Sequence, residues 1–293
     1  MNTIPISKSE LSPINSSRGG TQSAIQVIWM LAWREWIRFF RQPFRVIAAL
    51  GQPILFWILF GTGMHGSFRG ESNSEDFMVY FLPGTIAMIL LFTAIFATIS
   101  IIEDRREGFL QSVLVAPTSR LNIAMGKVLG GAAIAWVQAA IFVAIAIGSG
   151  SFAVGASTIG LLVFMAVAAL ALTSLGVCCA WPMDSTQGFH ALMNMVLMPM
   201  WLLSGSFFPA PALLQGEPIG QVAMHWVIRC NPMTYVVGGM RHLMLASSIV
   251  THGDNRYWTP PLTTCVVFTI AFAGLAMAAA TLVVRRNQKG ELQ

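Results

Sequence analysis

The chain has 293 residues, of which 55% are hydrophobic and 10% charged, and its formal net charge is +5. A soluble domain carries about a quarter charged residues, so this composition excludes an ordinary water-soluble globule and points to a bilayer as the solvent. Four cysteines without paired spacing give neither a disulfide framework nor a thiolate metal site, and the basic residues lie at the ends of apolar runs instead of forming a nucleic-acid patch.

Residues 1–22 are polar and Ser-rich with no apolar core, which predicts a disordered cytoplasmic tail and not a signal peptide. From about residue 25 to 41 the pattern is an amphipathic helix. Ile25, Ile28, Trp29, Ala32, Trp36, Phe39 and Phe40 gather on one face, with Arg34, Arg38 and Arg41 on the other. Such a helix lies in the inner interface, with its aromatics in lipid and its arginines toward phosphates or a partner. Gln42-Pro43 ends it.

Six apolar runs follow, each near the roughly 20 residues that a spanning helix needs: residues 45–63, 79–102, 124–148, 158–181, 189–206 and 262–284. Barrel-like alternation is absent from the sequence, so the fold class is an all-α integral membrane bundle with six transmembrane helices. Pro53 predicts a kink in the first run, and His65 in the Gly- and acid-rich loop after it reads as a surface histidine. Pro83-Gly84 stands at the outer start of the second run. Gly126 and Gly130 in the third form a G-x-x-x-G helix-contact pair, and Cys178 and Cys179 in the fourth read as small packing residues. The fifth run carries Asn194 and Pro199 and breaks at 203–206. With Phe207 to Pro211 behind it, that run reads as an outer re-entrant element. Asn231 and Pro232 then predict an N-cap and first helical position. Cys230 and Cys265 both fall near the outer face, where pairing remains open.

Between the second and third runs lies the one compact charged island, residues 103–127. It holds Glu103, Asp104, Arg105, Arg106 and Glu107, then Arg120 and Lys127, a mixture of signs suited to a protein partner. Phe109, Leu110, Val113 and Leu114 predict a short helix that Pro117 stops, with Thr118 or Ser119 capping the next. With both termini inside, thirteen basic residues fall on the cytoplasmic side and four outside, which sets the orientation by the positive-inside rule. The last run ends at Arg285-Arg286, and residues 287–293 form a short tail.

The island's pattern, E-x-R-R-E-G-x-L-x-x-x-L-x-x-P-x-S-R over residues 103–120, resembles the cytoplasmic coupling segment of type-two ATP-binding-cassette (ABC) exporter permeases. So do NMVLMPMWLLSGSFFP at 194–209, CNPMTY at 230–235, and RQPF and GQPILFWILFG in the first third. The resemblance covers most of residues 33–286, within a transmembrane domain expected over 23–286. It implies a permease that forms half of a pathway with a second copy or a homologue in the inner (plasma) membrane. It also implies a separate ATPase subunit that binds ATP–Mg and docks through Glu103, Arg105, Arg106, Glu107, Gly108, Pro117, Ser119 and Arg120. This chain would bind no cofactor itself. It carries no phosphate loop and no nucleophile elbow or metalloprotease spacing, which argues against an enzyme. Its runs offer mainly Gln52, Gln138 and Asn194 as polar groups, which disfavours an ion-coupled carrier, and a non-transporting scaffold is the remaining alternative. Thr93, Thr98, Asn194, Pro199 and Ser204 are candidates to line the pathway, with membrane lipid around the bundle and no nucleic acid as partner.

Overall fold

The computed structural model describes residues 24–63, 77–109, 119–207, 218–245 and 258–286. The elements in chain order are α1 (Ala24–Phe40), α2 (Pro43–Gly63), α3 (Phe77–Ala97), α4 (Ile99–Arg106), α5 (Arg120–Gly148), α6 (Ala156–Ala180), α7 (Thr186–Trp201) with a π turn at Leu202–Ser206, α8 (Ile219–Cys230), α9 (Pro232–Met244) and α10 (Leu262–Arg286). No strand occurs among the described residues, so the all-α expectation holds. The expected tails, the His65 loop, the short helix on Leu110, Val113 and Leu114 with Pro117, and residues 208–211 lie outside them.

Among the described residues, five spans are long and apolar enough to cross a membrane: Val46–Gly63, Phe77–Arg106, Arg120–Gly148, Ala156–Ala180 and Leu262–Arg285. The second is the axis of the bundle. Its apolar stretch is 89% buried, against 17% for the first and last spans. A helix apolar on every face must be enclosed by protein or lipid, and here Phe81, Leu82, Ile86, Ile89 and Leu90 are fully enclosed by the chain itself. The peripheral spans expose Leu55 and Leu59 of α2 and Val267, Ile270, Leu275 and Leu282 of α10. The fifth apolar run is α7, 16 residues long, followed by the five-residue π turn. The helices α8 and α9 have 12 and 13 residues, each short of a crossing.

Lipid tails are as apolar as leucine, so helices in a bilayer associate through close packing and interhelical hydrogen bonds. The glycines of α5 show this. A Cβ on Gly126 would stand 2.7 Å from the Leu31 Cβ, and one on Gly130 would stand 2.9 Å from the Glu35 Cβ and 3.1 Å from the Ala32 Cα. The G-x-x-x-G pair is therefore the seat of α1. On the opposite side of α5, a Cβ on Gly131 would meet Thr173 of α6 at 2.7 Å and Ala97 of α3 at 3.3 Å. Indole donors add to the packing: Trp57 Nε1 donates to the Met78 carbonyl at 3.0 Å and Trp136 Nε1 to that of Leu162 at 2.9 Å.

Caps fall where the sequence placed them. The Ser119 hydroxyl accepts from the Asn122 amide to open α5, while Asn231 accepts from Met233 N ahead of Pro232. The second run differs from its expectation of one continuous helix. It breaks at Thr98, where Thr98 N bonds Ile95 O and Ile101 N bonds Thr98 O in three-residue steps, and the Thr98 hydroxyl also donates to Ile95 O at 2.6 Å. A threonine hydroxyl that competes for its own helix carbonyl bends the helix.

Substituting Gly130→Leu should lower the thermal midpoint in detergent, at a cost of about 1–3 kcal/mol for overpacking. Gly274→Leu is the control, because no atom lies within 4 Å of a Cβ there and its midpoint should not move.

Candidate functional site

One end of the bundle is built around a lysine that the apolar surroundings cannot leave alone. Lys127, on the third turn of α5, is 4% exposed, and its ammonium bonds Asp104 of α4, Glu35 of α1 at 2.5 Å and the Ser100 hydroxyl at 3.4 Å. A buried charge persists only when paired and hydrogen-bonded, and Asp104, itself fully buried, takes further donors from α1. Arg34 forks onto both its oxygens at 2.9 and 2.8 Å, and Arg38 reaches Oδ1 at 2.7 Å while its other nitrogen holds Glu103 at 2.8 Å and Glu107 at 3.4 Å. Bidentate guanidinium–carboxylate pairs of this kind fix geometry as well as charge. The Arg34 guanidinium also stacks 3.6 Å above the Phe109 ring. Burial works to lower its pKa, but the hydrogen bonds and charge of Asp104, with Glu35 and Glu107 behind, hold it above the ordinary arginine value.

The expected interfacial arginines thus divide. Arg34 and Arg38 turn inward because Asp104 needs them, and Arg41 stays exposed at the end of α1. The apolar edge of α1 that remains free is Ile25, Trp29, Met30, Trp33, Ile37 and Phe40.

On the other side of α4, Arg105 holds the corner between α6 and α7. Its guanidinium donates to the carbonyls of Trp181 at 2.6 Å and Met183 at 3.2 Å and pairs with Asp184 at 3.0 Å, and Arg106 Nε donates to the Asp184 carbonyl at 3.1 Å. Arg106 and Glu107 are otherwise exposed, and Gly108 turns the chain with φ +74°, a value that favours glycine. Across from them, Arg120 donates to the Val284 carbonyl of α10 at 3.4 Å. Of the expected docking residues, Glu103, Arg105, Arg106, Glu107, Gly108, Ser119 and Arg120 therefore sit at one end of the bundle, flanking residues 110–118. Pro117 is outside the described residues.

A cavity of about 420 Å³ opens beside this platform, between the end of α1 and helices α2, α3, α4 and α7. Phe39, Phe92, Phe96, Met88 and Pro53 supply apolar wall, while Gln42, Gln52, Thr93, Glu103 and His190 supply polar points. His190 lies against Phe96 with ring centroids 5.0 Å apart. Thr93 faces this space and bonds Gln138 of α5 at 2.7 Å. The other expected pathway residues do not join it. Thr98 forms the break in the second span, Asn194 and Pro199 stand on the exposed side of α7, and Ser204 is buried in the π turn after α7, bonded to Trp201 O and the Ser206 hydroxyl.

At the opposite end of the bundle, carbonyls beside the break and on α3 find side-chain donors. Trp201 Nε1 bonds Gly84 O at 2.8 Å, Asn231 Nδ2 bonds Met200 O at 2.6 Å, and the buried Arg241 bonds Gly205 O at 2.9 Å, its guanidinium 4.4 Å over the Tyr80 ring. Gly205 has φ +79°. Cys265 is buried with its thiol on the Pro260 carbonyl, Cys230 is exposed, and both are free thiols. No group of three or more His, Cys, Asp or Glu among the described residues is placed to hold a metal ion.

Comparison with known proteins agrees with a bundle organised in this way. The family described as ABC-2 type transporter matches residues 26–245, from within α1 through the end of α9. The chain belongs to the ABC-2 transporter membrane family. Relatives include the proteins named as transport permease ycf38 of Cyanophora paradoxa, 24% identical over 81% of this chain and 82% of that one, and of Pyropia yezoensis, 25% identical over 82% and 79%. The protein named as multidrug ABC transporter permease YbhR of Escherichia coli is 24% identical over 68% of this chain, which spans about half (52%) of YbhR. As an ABC-2 membrane subunit the chain is an integral membrane transport protein, of a family that generally works with an ATPase partner.

Sequence reading of this ABC-2 domain left Glu35 unremarked and found few ionisable groups in the runs. The signal was present: Leu31, Glu35 and Phe39 form one buried stripe of α1, and an acid in such a stripe needs a partner as much as the one lysine of a long apolar helix does. Replacing Lys127 with Met should strip Asp104 of one of its three cations and leave Glu35 to Arg34 at 3.6 Å, destabilising the fold by about 3–5 kcal/mol. Thermal unfolding in detergent checks this, with the double Lys127→Met, Glu35→Gln, in which Asp104 keeps Arg34 and Arg38, recovering much of the loss.

Proposed function

We propose that the chain is the membrane-spanning permease of an ATP-driven exporter, forming half of a translocation pathway and receiving work from a separate ATPase subunit. The observation that carries this reading is the ion-locked platform at one end of the bundle. The described chain stops on it at Phe109 and resumes on it at Ser119, and Arg106, Glu107 and Arg41 are exposed there. A partner that grips that segment meets helices already bonded to one another, so its displacement passes into the bundle instead of being lost in a loose loop. ATP–Mg belongs to the partner. The pathway's inner part is the cavity beside Thr93 and His190. A second copy, or a homologue, supplies the other half against the exposed faces of α2 and α7, where Leu55, Leu59, Leu192, Met195 and Val196 are uncovered. The inner (plasma) membrane with both termini cytoplasmic follows from the distribution of basic residues. Phenylalanines with a few polar points suit a drug-sized amphiphile, in keeping with the multidrug transport named for YbhR.

One observation favours a second reading. Lys127, Glu35 and Asp104 are buried ionisable groups of the kind ion-coupled carriers use. Each is already bonded, however, and one of the three belongs to the peripheral helix α1. Transport by the reconstituted system should therefore persist under an uncoupler and stop on ATP depletion; the reverse pattern would mark an ion-coupled carrier.

The coupling reading is checked by reversing Arg106→Glu and Glu107→Arg together. The ATPase subunit should no longer co-purify, and its permease-dependent hydrolysis should fall by roughly tenfold or more, the loss of about 1.4 kcal/mol of contact energy. Unchanged co-purification and hydrolysis would overturn the assignment.

A further inference from the structure

We propose that Arg105 is the positioning residue that carries displacement from the coupling segment to the foot of α7, with α4 swinging as a lever about the Thr98 break. The inference rests on the coupling reading above and names the route by which that coupling reaches the cavity wall.

Four observations support the route. The second span is not one rod: its hydrogen-bond ladder changes step at Thr98, between the enclosed α3 and the charged α4. A pivot needs a bearing, and α6 supplies one at Gly176. A Cβ on Gly176 would stand 2.9 Å from Thr98 Cγ2 and 3.2 Å from the Ile95 Cα, so backbone lies against the break. Beyond the pivot, α4 is held on both sides. Asp104 is tied to α1 and α5, and Arg105 to the α6–α7 corner by three bonds between 2.6 and 3.2 Å. Two of those bonds go to main-chain carbonyls at the end of α6, where the helix dipole favours a cation, so the grip persists even though the Asp184 side chain is 88% exposed.

The corner is short. Trp181 closes α6, and Ser185 caps α7 by accepting from Gly188 N at 3.3 Å, so the residue that Arg105 and Arg106 both hold, Asp184, immediately precedes the cap of α7. The inner part of α7 carries His190 into the cavity wall, and its buried stripe Phe189, Met193, Leu197 and Trp201 rides on the rest of the bundle while the opposite side is uncovered. Movement of α4 through Arg105 therefore shifts the foot of α7, and with it the cavity, without passing through the packed centre of α3.

The test uses the full permease–ATPase complex in lipid, with the four native cysteines replaced and spin labels at Gln187→Cys, in the exposed first turn of α7, and Leu282→Cys of α10. Trapping the ATPase with ATP and vanadate should change this distance by about 2 Å or more, the scale of helix shifts in switching proteins. In the Arg105→Ala complexes that trap vanadate the change should vanish, and in those of Arg105→Lys, which keeps the charge and one donor group, the shift should be intermediate. Loss of assembly in Arg105→Ala with a full shift in Arg105→Lys would overturn the proposal as a mere folding requirement. A shift unaltered by either substitution would overturn it with coupling intact, as would a trapped parent complex whose Gln187 label does not move. A parent chain that never assembles with or traps the ATPase would instead refute the coupling reading, and the lever would fall with it.

Discussion

Lys127 sets the terms for one half of the molecule. An ammonium in an apolar helix loses several kcal/mol of hydration, and at an effective dielectric near 20 a carboxylate about 4 Å away returns about 4 kcal/mol. One acid does not offset the cost by a wide margin; two, with a hydroxyl, do. Because the second acid is Glu35, α1 cannot float in the interface as an independent anchor. It must come within bonding distance of α5, and glycine at 126 and 130 permits that approach. Asp104, drawn in as the first acid, then demands Arg34 and Arg38. The result is a chain of requirements in which each buried charge recruits the next, until the last carboxylates, Glu103 and Glu107, reach the surface. Such clusters add little net stability over an apolar core, but they fix which helix faces which.

This chain of requirements also divides what the sequence reveals from what it hides. The spans, the Ser119 and Asn231 caps and the Gly126–Gly130 contact are local patterns, and each was legible from a few neighbouring residues. The family motif at 103–120 was equally legible as a string. The ion cluster was not, because its bonds join residues 23, 70 and 92 positions apart, and no local period marks them. The same holds for the residues expected to line a pathway. Thr93 and Thr98 look alike in sequence, five residues apart on one apolar run, yet one faces a cavity and the other bonds its own helix at a bend. What separates them is the approach of α6 at Gly176, a tertiary fact. Asn194 and Ser204 were singled out for polarity, but an exposed α7 face and a side-chain-capped turn use that polarity differently.

The two ends of the bundle are closed by different chemistry. At the end that holds Lys127, three cations and four carboxylates interlock through shared partners, Asp104 taking Lys127, Arg34 and Arg38 at once. At the opposite end, single donors meet carbonyls: Trp201 bonds Gly84 of α3, while Asn231 on Met200 and Arg241 on Gly205 serve the break after α7. Bonds of that kind are each worth about 0.5–1.5 kcal/mol net, somewhat more where the donor is charged. Contacts held by single donors can therefore exchange one at a time at modest cost, whereas the ion cluster moves as a unit, so the lever proposed for α4 would carry the tied ends of α1 and α5 with it. At the far end Gly205, already in the left-handed region, is the residue whose backbone needs least new strain to follow.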